Sequence, residues 1–341
     1  MYMEKYVYAT NGLSGIKNIG NTCYMNSCLQ ILAHTYEMHD EVRKLTNIRN
    51  TNSLFIEWIK LNNQLWKSNT TITPTSFHNE LQTIARKTNN NFVGYNQNDA
   101  SEFLIFIMDI FHETCKLNVD MKIKGSALNK LDEIAIKCYE QFVLYHKENY
   151  SLIVKLFYYM SVTNNICISD GRLISQSFQS NFMLDLPIPN KHNINIYDCL
   201  NLHFQDTSLL KENGIRDEKT NIQHDVVQKT SLWNAPPILI ICFKRFTYDG
   251  RKNNKMINFP IDKLDIQKYV SGYKTNNMYE LYGICNHSGV ADGGHYTSYV
   301  KTYTNDWYLF NDTSVTLVQR KNISETIITS KAYCLFYRNK N

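Results

Sequence analysis

Long apolar runs are missing from this sequence: the longest aliphatic stretch, "PPILIICF", is far short of the roughly 20 residues that a bilayer-spanning helix needs. The opening "MYMEKYVYAT" has neither the basic flank nor the apolar segment of a signal peptide. No membrane segment is therefore expected, and a soluble intracellular protein of the cytoplasm or nucleus is the default. CxxC pairs are also absent. Nine scattered cysteines, an odd number in a chain that needs no disulfide staples, suit a reducing compartment. Strong charge of one sign is lacking too, because a formal +5 over 341 residues is small and the basic residues are interspersed with acidic ones. No nucleic-acid partner is expected. There is no low-complexity linker, internal repeat or amphipathic membrane anchor. What the chain does have is 43% hydrophobic residues, enough for a substantial core in one large domain or two intimately packed lobes.

Helices come first and sheet second, so the expected fold class is α+β. From 15 to 115 the pattern is helical: "TCYMNSCLQILAHTYEMHDEVRKL" has no Gly or Pro, and Thr22 is its candidate cap. In "NQNDASEFLIFIMDIFHETC", Asn98 or Asp99 can cap a helix whose apolar side collects Phe103, Ile107 and Ile110. Beyond about 160, short β-branched and aromatic segments such as "APPILIICFKRFTY", "HYTSYVKTY" and "DWYLFND" lie between turn residues, as strands of an antiparallel sheet do. The polar stretch 205 to 230 reads as an exposed extension.

Two cysteines lie five apart in "GIKNIGNTCYMNSCLQIL". Cys23 stands where a glycine and a small polar residue lead into a helix, and there unpaired backbone N–H groups and the helix dipole favour a thiolate. Cys28, about 140° further round the helix, gains none of this and reads as a buried small hydrophobe, as do the other seven. Acyl transfer also needs donors for the tetrahedral oxygen, and Asn18 or Asn21 together with the Cys23 N–H are the candidates. A base is offered by His295, at the root of the Gly-rich loop in "HSGVADGGHYTSYV"; His287 at the other end of the loop is its rival. To orient the imidazole, "DWYLFNDTS" ends a strand with Asn311 and Asp312. Alternation sends them to opposite faces, so only one can meet the histidine directly.

"GIKNIGNTCYMNSCLQ" closely resembles the cysteine box of the ubiquitin-specific peptidases, papain-like deubiquitinating enzymes, and "YELYGICNHSGVADGGHYTSYV" with "DWYLFNDTSV" resembles their histidine box. "NQNDASEF" and "PPILIICFKRFTYDG" match further blocks in the family order, so the resemblance covers nearly the whole chain. It implies a thumb, palm and fingers fold in one catalytic domain over 11–338, with a helical thumb near 15–115, fingers mostly within 160–235 and a palm largely from 236–338. It implies Cys23 as nucleophile, His295 as base, Asn311 as the residue that orients it, Asp312 as a neighbouring acid that assists and Asn18 as the oxyanion-hole side chain. It places Gln97, Asp99, Gly293, Gly294 and Tyr296 along a channel for the substrate tail, although Asn98 replaces a usual Gln. The implied partner is ubiquitin or a ubiquitinated protein, cleaved after its terminal Gly.

The fingers depart from the family. Many relatives bind structural zinc there through two CxxC pairs, whereas here Cys167 keeps company with Asp170 and the later pair is missing. A site built from Cys167, Asp170 and His224 is disfavoured because structural zinc prefers thiolate-rich sets. No metal or other cofactor is expected, and Ile166, Ile168, Phe178 and Phe182 are expected to pack between the finger strands instead. Two other functions fit the same residues: a catalytically silent ubiquitin-binding scaffold, and a peptidase for another Gly-Gly-tailed modifier.

Overall fold

The computed structural model describes residues 7–45, 53–247, 249–290 and 293–340. Its first half is helical. The central helix α1 (Cys23–Ala33) buries all eleven of its residues, so its polar side chains need internal partners. They have them: Ser27 Oγ donates to the Thr297 carbonyl, and Gln30 Nε2 to that of Ser14. Around α1 lie α2 (Tyr36–Arg43), α3 (Ser53–Leu65), α4 (Thr75–Lys87) and α5 (Ala100–Cys115). Asp99 caps α5 by accepting from the Ser101 and Glu102 N–H groups, a bond that Asn98 does not make. Thr22 sits at the N-cap position of α1 without capping it, because its hydroxyl accepts from the Ile19 N–H instead. Two more helices follow, α6 (Lys130–His146) and α7 (Leu152–Phe157).

A four-stranded antiparallel sheet comes next, in the order β2 (Leu173–Asn181), β1 (Tyr159–Cys167), β5 (Val226–Leu232), β4 (Thr207–Leu209). Its small core is Met160, Val162 and Phe178 against Cys138 of α6. The expected tip cluster does not form as such. Ile168 is 49% exposed, and Phe182 packs at the root of the sheet, its ring 5.7 Å from that of Tyr158. The reason is register: β1 and β2 run as a two-residue alternation past Phe178, and the strand has ended before Phe182.

The large sheet has eight strands. Its main path runs β10 (Ser314–Leu317), β9 (Trp307–Asn311), β8 (Gly293–Lys301), β7 (Met278–Val290), β11 (Ala332–Asn339), β6 (Ile238–Phe243), β3 (Met183–Leu186), antiparallel apart from β3 beside β6. All six residues of β6 are buried, as its unbroken apolar run requires of a strand covered on both faces. One core fills the space between this sheet and the helices, and a second lies on the other face of the sheet around α8 (Ile196–His203). Free thiols throughout were expected, but Cys242 and Cys334 stand directly opposite in the β6–β11 register and are paired as a disulfide. The other seven cysteines are free and buried.

Candidate active site

Sheet and helices meet where α1 packs on β8 and β9, and this junction brings together residues far apart in sequence. Cys23 begins α1 and is 3% exposed. Burial pushes its thiol above the ordinary value; the Tyr296 N–H opposes this, the Asp312 charge adds to it, and the Tyr24 and Cys23 N–H groups oppose it again. The helix start thus softens the rise without reversing it, contrary to the expectation of a ready thiolate. Cys28 is fully buried, with its Sγ 3.7 Å from the Ala100 carbonyl, and desolvation drives its thiol far upward.

The backbone N–H that reaches Cys23 belongs to Tyr296, the residue that follows His295 near the start of β8. His295 Nε2 is 2.6 Å from Asn311 Oδ1 at the end of the adjacent strand β9. Because the amide oxygen can only accept, that ring nitrogen carries the proton and Nδ1 is the nitrogen left to act as base. Asp312 has turned away, with a φ of 49°. Its Oδ2 accepts from Asn18 Nδ2 at 3.1 Å and its Oδ1 from Asn26 Nδ2 at 2.8 Å. Asn18 Oδ1 in turn accepts from the Gly20 and Thr22 N–H groups, which shapes the loop before Cys23. Asn21, at a φ of 53° and bonded to the Tyr95 carbonyl, is the turn residue. The two loops also interlock by backbone: the Ile16 N–H donates to the Asp312 carbonyl, and a Cβ on Gly15 would sit 2.4 Å from the Thr313 oxygen.

His287 is no competitor for the role of base. It is 2% exposed, its ring lies 4.6 Å from that of Tyr296, and desolvation pushes it down to about 4. Its Nε2 fills the place that a Cβ on Gly294 would need, which makes glycine obligatory there. The Gly-rich segment is a hairpin with ladder pairs Ser288–His295, Gly289–Gly294 and Val290–Gly293. Ala291 and Asp292 at its tip lie outside the described residues.

Of the five residues expected along a tail channel, Gly293, Gly294 and Tyr296 belong to this hairpin, and Gln97 and Asp99 converge on it. Gln97 Oε1 accepts from the Gly294 N–H at 2.6 Å and lies 3.6 Å from where a Gly293 Cβ would be. The carboxylate of Asp99 is occupied by its own helix cap and by the Tyr333 and Tyr296 hydroxyls, at 2.9 and 3.4 Å. Tyr296 is 6% exposed, so its ring supports the hairpin and only its backbone reaches the cleft. Sequence reasoning missed Asn26 and Tyr333. Asn26 had a signal, since it lies one helical turn from Cys23 on the same side of α1; Tyr333 had none.

In the smaller sheet Cys167 Sγ is 3.8 Å from His224 Nδ1 and 3.2 Å from Ser169 Oγ. Asp170 accepts from the Arg172 N–H at 2.9 Å and also interacts with the Cys167 side chain. Among the described residues no group of three His, Cys, Asp or Glu side chains is placed to hold a metal ion. No helix of the described residues is long and apolar enough to cross a membrane.

Residues 14–337 match the family model described as "Ubiquitin carboxyl-terminal hydrolase". The chain is 32% identical over 345 residues to ubiquitin carboxyl-terminal hydrolase 2 of Rattus norvegicus, which covers 96% of this chain and 54% of that protein. The Gallus gallus protein of the same name is 32% identical over 342 residues, with 96% and 93% covered. The chain thus spans about half the length of the rat relative and nearly all of the chicken one. Among solved structures, the SAGA DUB module Ubp8/Sgf11/Sus1/Sgf73 bound to monoubiquitin superposes with a TM-score of 0.74 at 25% identity, covering 97% of this chain and 70% of that one.

Proposed function

The chain belongs to the ubiquitin carboxyl-terminal hydrolase family, and from that premise we propose that it is a cysteine-type deubiquitinase cleaving the isopeptide or peptide bond after the terminal Gly of ubiquitin. The observation that carries this reading is the arrangement of Cys23 at a helix start reached by the Tyr296 N–H, His295 next in the chain to Tyr296, and Asn311 holding the imidazole at 2.6 Å.

In the proposed reaction His295 takes the Cys23 proton, which overcomes the burial that keeps the thiol neutral, and the thiolate attacks the carbonyl carbon. Charge developing on the carbonyl oxygen meets the Cys23 N–H and the second amide proton of Asn18, whose first is fixed on Asp312. His295 then delivers its proton to the departing lysine amine, and water activated by the same imidazole frees the ubiquitin carboxylate. Asn311 keeps the ring in one tautomer throughout. Gln97, Asp99 and Tyr296 act as positioning residues that hold Gly293 and Gly294 as one wall of the tail channel, and the absence of side chains there suits a tail ending in Gly-Gly.

The polar face between the smaller sheet and the palm, lined by Ser161, Thr163, Gln179, Asp185, Gln228 and Lys244, supports the reading that it receives the globular body of ubiquitin. Seven free cysteines support a site of action inside the cell, in cytoplasm or nucleus. A ubiquitin carrying a C-terminal electrophile tests the proposal: it should label Cys23, and Cys23→Ala should abolish both labelling and hydrolysis. Binding of ubiquitin without labelling would make the chain a scaffold. Labelling by a different Gly-Gly-tailed modifier in preference to ubiquitin would change the substrate and leave the chemistry intact.

A further inference from the structure

Away from the cleft, a second concavity of about 620 Å³ opens between α6, the segment 122–126 before it, and the residues Trp233 and Tyr273. Its lining is mostly apolar and includes Ile123, Ile136, Tyr139 and Phe142. It is a built feature. Tyr273 donates its hydroxyl to Asp132 of α6 at 2.6 Å and meets the Trp233 ring edge-on at 6.3 Å, which braces the two walls apart. Helix α6 has seventeen residues and buries only Cys138 and His146. Ile136, Tyr139 and Val143 follow one another at helical spacing on the cavity side, so the apolar surface continues along the helix beyond the cavity. Leu128, just before α6, is 88% exposed.

Within the lining itself the carboxylate is satisfied and the lysines are not fully so. Asp132 is the sole carboxylate in the lining, and its oxygens are taken by Tyr273 and by the Leu128 N–H. Lys122 and Lys124 line the same space; Lys122 pairs only with the exposed Asp120, and Lys124 makes no ion pair among the described residues. On α6 itself Lys130 and Lys137 are offset by the exposed Glu133 and Glu140, so the positive charge is confined to the segment 122–124 at the mouth.

We propose that this concavity is a docking site for an acidic peptide segment of a partner protein. The segment inserts one large aliphatic or aromatic side chain between α6 and the Trp233–Tyr273 wall, and its Asp or Glu residues meet Lys122 and Lys124. An extended segment fits better than a small amphiphile because the apolar row runs on past the cavity to Val143. The chemistry is that of a helix or strand anchored in a groove: the buried side chain gives affinity, and the lysines select against basic sequences and speed association.

Panning a random displayed peptide library against the intact chain tests this. The enriched peptides should share a Trp, Phe or Leu with Asp or Glu within a few residues, and synthetic copies should bind in fluorescence anisotropy. Ile136→Asp should weaken them by roughly tenfold or more. Lys124→Glu should weaken them several-fold, with a smaller dependence on salt than the wild type. Ile123→Asp, on an exposed segment outside any helix or strand, repeats the apolar test without threatening the fold. None of these variants should alter ubiquitin hydrolysis, so the outcome stands apart from the reading of the cleft. No enrichment, a consensus without acids, or binding indifferent to the three substitutions would overturn the proposal. So would dodecanoate binding that Ile136→Asp abolishes in the absence of an acidic peptide consensus, which would mark a small-amphiphile pocket instead.

Discussion

Replacing Asp312 with Asn should slow hydrolysis and at the same time make Cys23 more reactive, two effects that most damaging substitutions do not combine. The carboxylate accepts from Asn18 at 3.1 Å and from Asn26 at 2.8 Å, and it does not touch His295. A hydrogen bond to a charged acceptor contributes about 1.5–3 kcal/mol, and losing an oxyanion donor altogether costs about 10²–10³ in kcat. Asn at 312 keeps one acceptor oxygen but places an amide nitrogen where the second should be, so one of the two asparagines is released. We expect kcat for a fluorogenic ubiquitin substrate to fall by about 10- to 100-fold, with KM little changed. The Asp312 charge also raises the Cys23 thiol, so its removal lowers that pKa and iodoacetamide should alkylate Cys23 faster near neutral pH. Asn26→Ala provides the contrast: hydrolysis should fall without any gain in alkylation. Unchanged kcat in Asp312→Asn, or slower alkylation, would refute the assignment of Asp312 as the group that holds Asn18.

Three further outcomes are expected. Asn311→Ala should lower kcat strongly while Asn311→Asp keeps substantial activity, since both native and Asp side chains can accept from His295 Nε2; an unimpaired Asn311→Ala would break the pairing seen at 2.6 Å. Burial pushes His39 down to about 3 and His34, His146 and His287 down to about 4, from an ordinary 6.5. The unfolded chain therefore binds more protons below that value, so stability is full above pH 6.5 and is lost as pH falls toward 4, read as a falling Tm that His39→Gln should flatten. A strong chelator should change neither Tm nor hydrolysis, because the smaller sheet is held by Met160, Val162 and Phe178 against Cys138; unfolding on chelation would point to metal at Cys167.

Local sequence carried the element boundaries around the candidate site well. The Gly-Asn-Thr-Cys entry to a helix, the histidine opening a strand and the Asn-Asp pair ending another are all short-range patterns, and the structure brings Cys23, His295 and Asn311 to one junction. Alternation led to the expectation that Asn311 and Asp312 part, and they do, although through the left-handed φ of Asp312 just past the end of the strand. What Asp312 turns toward was not legible, because Asn18 and Asn26 lie 294 and 286 residues away and no spacing rule spans that distance. The protonation of Cys23 was misjudged for a related reason: a helix start is local, but the burial that outweighs it comes from the packing of β8 on α1. Residues 287–290 and 293–295 looked like loop because their glycines resemble turn residues, whereas they are paired as strand and Gly294 is there to admit the His287 ring. The Cys242–Cys334 pair depends on the register of two strands 92 residues apart.

His295 and Asn311 occupy neighbouring strands of one sheet, joined by the β8–β9 ladder, while Cys23 belongs to a helix packed against that sheet. Base and orienting residue therefore move as a single part, and the nucleophile as another. Sliding of helix over sheet would change the separation of sulfur and imidazole together with the Ser27–Thr297 and Asn26–Asp312 bonds that tie the two layers, whereas the His295–Asn311 bond lies wholly on the sheet side. An effector that pries these layers apart would therefore slow the first proton transfer without breaking the contact that holds the imidazole in place.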